Sequence, residues 1–140
     1  MSVYIHSGRW TSIWRKKKAS TAFSTNSLAT LVAGYVEPAS TDAGAADKPV
    51  LGIYEGPAIT SASSDYAATT EIMVKVPIGP ALARMTCSIA ATDEGKGLDM
   101  ADAVSVHASN NTYSPVTLVR YLSATEGLFA IAKSVYATVA

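Results

Sequence analysis

The chain has one cysteine, two histidines, and no acidic residue before Glu37. A lone thiol, Cys87, cannot close an intramolecular disulfide, and its neighbours Met85 and Ile89 predict a buried, inert side chain rather than a nucleophile. His6 and His107 are far apart in sequence, so with one cysteine they lack the paired ligand spacing of a tetrahedral metal site. No Gly-x-Ser-x-Gly elbow occurs, and Gly95-Lys96-Gly97 is too short for a lysine-bearing phosphate loop. These gaps leave catalysis, metal and cofactor without support, and the chain reads as a non-enzyme. No apolar run approaches the roughly 18 residues needed to span a bilayer. Ser2-Val3-Tyr4-Ile5-His6 does not open an apolar leader, so the expectation is a soluble protein made in the cytoplasm, with no membrane partner. Charged residues make up only 16% of the chain while Ala, Ser and Thr abound. Such a surface suits either burial against other protein or simple neutrality.

The charges that are present are segregated. Arg9, Arg15, Lys16, Lys17 and Lys18 give the first 18 residues a charge of +5, and the remainder, with six basic and eleven acidic groups, carries −5. Trp10, Ile13 and Trp14 share this head at helical spacing, but Ser and Thr crowd it and nothing caps a helix. Residues 1–27 therefore read as an extended arm that is fixed on a partner or on the chain's own body. Each indole can bury on the order of 200 Å², which makes Trp10 and Trp14 costly to leave in water. Arg15 to Lys18 beside two indoles also resembles a nucleic-acid grip, yet a body at −5 would repel a polyanion, so an acidic protein surface is the favoured partner. On this reading, deletion of residues 1–18 leaves a folded body that no longer binds.

The body, residues 28–140, reads as short strands. In Glu71-Ile72-Met73-Val74-Lys75-Val76-Pro77, Ile72, Val74 and Val76 alternate against Glu71, Met73 and Lys75, a half-buried strand that Pro77 is expected to end. Further strands are expected over 28–36, 50–54, 81–89, 103–107, 116–122, 128–131 and 134–139, with Ile78-Gly79-Pro80 as a turn and Glu126-Gly127 as another. Gly52 suggests a bulge or a close backbone approach. The loop over 56–70 is long enough to be functional or mobile, and Tyr66 at its end is either an interface anchor or folds back on the sheet. Asp93, Glu94, Asp99 and Asp102 fall within ten residues and could hold a calcium ion, although a solvated acidic turn is the simpler reading. The sum is an all-β, compact antiparallel barrel or sandwich with one or two short helices at most.

Several segments resemble the head decoration, or cement, proteins of tailed bacteriophages. They are Trp14-Arg15-Lys16-Lys17-Lys18-Ala19-Ser20; Gly34-Tyr35-Val36-Glu37-Pro38-Ala39 with Lys48-Pro49-Val50-Leu51-Gly52-Ile53; Asp65-Tyr66 leading into Ile72–Pro77; and Ser123-Ala124-Thr125-Glu126-Gly127-Leu128-Phe129-Ala130-Ile131. The resemblance implies a β-barrel-like or β-tulip domain on the outer capsid surface of a virion. It also implies a homotrimer that reinforces contacts between subunits of the major capsid protein. In that setting Trp10, Trp14 and Arg15 to Lys18 would meet the coat, and Tyr66 and Tyr113 would make loop or trimer contacts. Another virion component, from the tail or the head–neck region, has the same composition.

Overall fold

The computed structural model describes residues 2–107 and 110–132. The expected strand over 134–139 lies outside them. The strands are β1 (Val3–Lys16), β2 (Ser27–Val32), β3 (Tyr35–Pro38), β4 (Val50–Tyr54), β5 (Glu71–Thr86), β6 (Gly97–Leu98), β7 (Val116–Ser123) and β8 (Glu126–Ile131). They form one antiparallel sheet in the order β3-β2-β4-β5-β8-β7-β6, curled into a half-barrel, with β1 paired to β5. The only helix among the described residues is a 3-10 turn at Ala91–Asp93. The all-β, barrel-like expectation holds.

β5 organises the sheet. Its 16 residues carry β1 along one edge, so β4 and β8 must share the other, β4 near Lys75 and β8 over Ala83–Thr86. Contrary to expectation, Pro77 does not end the strand, and Ile78-Gly79-Pro80 does not reverse the chain. These three residues form a bulge, since Trp10 lies opposite Pro77 and Gly8 opposite Ala81. A proline costs a strand only the hydrogen bond its N–H would have made. Here both prolines flank a stretch that β4 and β8 leave open. The bulge also shifts the phase of burial: Ile72, Val74 and Val76 are buried before it, Ala83 and Met85 after it. One strand thereby serves two cores.

The two cores are distinct clusters. One gathers Val3, Leu28, Val50, Ile53, Met85, Met100, Leu118 and Phe129. The other gathers Phe23, Leu51, Tyr54, Ile59, Ile72, Val74 and Val76. All five residues of β4 are buried because it contributes to both clusters, which explains its unbroken apolar sequence. At Gly52 the backbone of Lys75 and Val76 in β5 lies too close for a side chain, the close approach its position suggested.

Three local readings need correction. The expected strand over 28–36 is a hairpin: Ala33 (φ 51°) and Gly34 (φ 88°) form a two-residue turn between β2 and β3. Positive φ at both central residues is what a tight hairpin needs, and Ala-Gly lacks the Asn-Gly signature that advertises it. Residues 103–107 form no strand, only the bridges of Ser105 to Thr86 and Val106 to Met100. The turn before β8 is at Ala124-Thr125, and Glu126 already belongs to the strand.

The largest revision concerns the N-terminal arm. The segment is extended, but it does not reach away from the body. Val3–Lys16 pairs with β5 from Met85 to Glu71, and Val3 is wholly buried. Gly8, at φ 95°, lies so close to the backbone of Pro80 and Ala81 that no side chain would fit. Deleting residues 1–18 would therefore strip the edge of the central strand and open both cores, rather than leave a folded body.

Candidate functional site

β1 is an outer strand: among the described residues β5 is its one ladder partner, and only the Lys17–Val36 bridge follows beyond its end. It is mostly exposed, and so reads poorly as a strand from sequence. Trp10, Ser12, Trp14 and Lys16 alternate with Thr11, Ile13 and Arg15, and the first set shares a face with their β5 partners Lys75, Met73 and Glu71. The structure splits the predicted aromatic pair. Trp10 is half-buried against the first core and donates its indole N–H to Ser7 O at 2.9 Å. Trp14 leaves 57% of its surface exposed. Tyr4, 48% exposed, stands near the strand's other end.

The predicted basic run divides as well. Arg15 and Lys16 are exposed, and Lys18 is exposed with an ion pair to Glu37 at 3.4 Å. Lys17 is completely buried. Its ammonium donates to Ala68 O at 2.7 Å, Tyr66 O at 2.9 Å and Lys18 O at 3.5 Å, using all three of its donors on carbonyls. It belongs to the frame of the molecule and is not a contact residue.

That frame fixes the long loop. The backbone N–H of Lys17 donates to Thr70 O and that of Ser20 to Tyr66 O. Phe23 and Ile59 exchange two backbone hydrogen bonds, and the Phe23 and Tyr54 rings meet at 5.6 Å. The Tyr54 hydroxyl donates to Pro57 O at 2.6 Å. Tyr66 folds back against the second core and stays half-buried. Between this held loop and the start of β5 lies a groove of about 560 Å³. Its lining includes Trp14, Pro57 and Ala58, the buried Tyr54 and Ile59, and the acidic Asp65 and Glu71. The groove draws on four separate parts of the chain, so no local motif could have announced it. The one available hint was Trp14 itself, an indole with no apolar neighbours in sequence beyond Ile13.

The acidic turn dissolves into separate tasks. Asp93 accepts from Ala90 N–H at 2.9 Å and pairs with Lys96 at 3.1 Å, and these hold its carboxyl below the ordinary 3.8. Glu94 accepts from Tyr121 N–H, and Asp102 from Val104 N–H and the Ser105 hydroxyl. Asp99, 3% exposed, accepts the N–H groups of Thr112, Tyr113 and Ser114 at 3.0, 2.7 and 2.7 Å and so folds the loop before β7. Sequence reading missed this anchor, because its partners stand 13 to 15 residues away. Tyr113 is half-buried on that loop, apart from the Tyr66 cluster. Among the described residues no three His, Cys, Asp or Glu side chains are grouped to hold a metal ion, and no helix is long and apolar enough to cross a membrane. His107 accepts from Asn110 N–H at 3.3 Å.

Cys87 is buried, and burial, with a smaller contribution from the charge of Glu126, pushes its thiol up to about 11. At about pH 8 the folded protein should therefore resist iodoacetamide and react only after denaturation, because the thiolate is the reactive form. Mass spectrometry would detect the adduct; rapid stoichiometric labelling of the native protein would contradict the burial. No protein-family model matches the chain, and no curated protein or solved structure is detectably similar to it.

Proposed function

We propose that the chain is a structural protein of a tailed-phage virion, binding the outer capsid surface as a homotrimer and reinforcing contacts between subunits of the major capsid protein. The observation that carries the reading is β1 itself, a strand held along its length by β5 on which Trp14, Arg15 and Lys16 all stand exposed. A flexible arm would lose conformational freedom on docking; a contact surface built on the sheet is already ordered. The basic strand suits an acidic coat surface, and its exposed aromatics offer apolar anchors. Each copy needs to supply only modest free energy, because many copies on one shell act together. The resemblance to decoration proteins and the small-residue, charge-poor composition support the same reading.

Since removing β1 would disrupt the fold, the test uses surface substitutions. A Trp14→Ser, Arg15→Glu, Lys16→Glu variant should keep its unfolding midpoint close to that of the parent. It should also co-sediment with purified, expanded phage shells about tenfold more weakly, the loss expected from one aromatic anchor and two reversed charges. Unchanged saturation of the shells by the variant would refute the assignment to β1. Low-copy ring assembly would favour a tail or head–neck component, and salt-sensitive binding to DNA without shell binding would favour a nucleic-acid module.

A further inference from the structure

We propose that the groove beside Trp14 is a receptor for a basic side chain, an arginine or lysine presented by a segment of a partner protein. Asp65 and Glu71 are the only charged residues lining the groove, and both are acidic. Lys16 stands opposite Glu71 in the β1–β5 ladder but does not line the groove. The remaining surface is largely apolar, with the exposed Trp14 indole on one side. That combination matches an arginine or lysine in three respects: the aliphatic stem packs on the apolar lining, the cationic head meets the carboxylates, and the indole face attracts the cation. The volume of about 560 Å³ falls in the range of ligand pockets and exceeds what one side chain fills, leaving room for the residues flanking it.

Other occupants fit less well. A purely apolar side chain would desolvate two carboxylates with nothing in return. A neutral saccharide would stack on Trp14 but leave both negative charges uncompensated. The phenol of Tyr54 is already committed to Pro57 O, and its pKa is raised first by burial and then by the charge of Asp65, which places that carboxylate's field over the groove. The walls are also held before any ligand arrives, because Lys17 and Ser20 fasten the loop at Tyr66 and Ala68. A pre-formed site spares the cost of ordering on binding. The inference does not depend on the partner being a coat subunit, so it can fail or stand separately from the capsid reading.

The test titrates the full chain with the blocked peptide acetyl-Ala-Ala-Arg-Ala-Ala-amide, the same peptide with Glu in place of Arg, and maltohexaose. The indole N–H resonance of Trp14, assigned with a Trp14→Phe variant, reports occupancy. The arginine peptide should move that resonance saturably, and the other two probes should not. Asp65→Asn with Glu71→Gln should weaken the arginine peptide about tenfold, as loss of both charges predicts. Asp65 also accepts from the Thr70 hydroxyl at 3.5 Å, so Glu71→Gln alone, expected to weaken binding about threefold, gives a second measurement if the double variant misfolds. An unmoved Trp14 resonance, an equal response to both peptides, undiminished affinity in the acid-to-amide variants, or saturation by maltohexaose would each overturn the proposal.

Discussion

Lys17→Met is expected to lower stability by about 2–4 kcal/mol and to release the loop over residues 60–70, while Lys16→Met one position earlier stays within about 0.5 kcal/mol of the parent. The contrast follows from where the two ammonium groups lie. Lys16 is exposed, whereas Lys17 has no solvent-accessible surface and bonds to the carbonyls of Tyr66 and Ala68. Methionine fills much of the same space but leaves Ala68 O without its donor, at about 1–3 kcal/mol, and takes from Tyr66 O one of its two, the Ser20 N–H remaining. Against this stands the relief of no longer burying a charge, which carries its own desolvation penalty. The loss of these charge-assisted hydrogen bonds should dominate, because three of them already compensate the ammonium in the native state. Urea unfolding of both variants gives the energies. Hydrogen exchange gives the location: the amides of Tyr66 and Ala68, which donate to Ser63 O and Asp65 O, should lose protection before the rest of the sheet. A Lys17→Met protein with parental stability and unaltered loop protection would show that the buried ammonium does not hold the loop. The same variant bears on the groove, because the loop it loosens contributes Ser63, Ser64 and Asp65 to the lining.

Strands with a buried face were legible in the sequence, and the mostly exposed β1 was not. Ile72, Val74 and Val76 alternate because one side of β5 meets the second core, and Val50–Tyr54 is unbroken because β4 meets both. β1 has neither signature. Trp10 packs on the first core and Ile13 on the second, so the anchoring residues fall three apart and imitate helical spacing. Two register shifts, at His6 and Arg9, break what alternation there is. Its partner strand begins more than fifty residues later, and nothing local reveals a pairing at that separation. The basic run misled for a related reason. Composition counts charges without saying which side of a strand end they occupy, and so Lys17 was grouped with Lys16 and Lys18 although only its neighbours meet solvent. Pro77 reads as a strand end and Pro80 as part of a turn, yet both lie inside β5, at the bulge where the strand changes phase between two cores. The groove could not be read at all, since it exists only where β1, the end of β4, the loop and β5 converge.

Gly52→Ala should be a severely damaging single-methyl change, costing more than about 3 kcal/mol or abolishing soluble expression. A Cβ added there would run into the carbonyl oxygen of Lys75, with Lys75 C at 2.9 Å and Val76 Cα at 3.1 Å. All three are backbone atoms of β5, so no rotamer change can relieve the clash and the strands would have to part. They have little pairing to spare: Ile53 opposite Lys75 is the one ladder pair that joins β4 to β5. Parting them would also disturb both cores, because β4 contributes Val50 and Ile53 to one and Leu51 and Tyr54 to the other. Gly34→Ala separates this steric effect from the general cost of replacing a glycine. Gly34 has φ 88° with no atom within 4 Å of an added Cβ, so alanine there meets only backbone strain of roughly 1–2 kcal/mol. Thermal and urea midpoints of the two variants should therefore differ widely in the same direction. Equal destabilisation would mean that the β4–β5 contact yields more readily than its backbone geometry implies. A Gly52→Ala protein within about 1 kcal/mol of the parent would show that the close approach of β4 to β5 is not what requires glycine at this position.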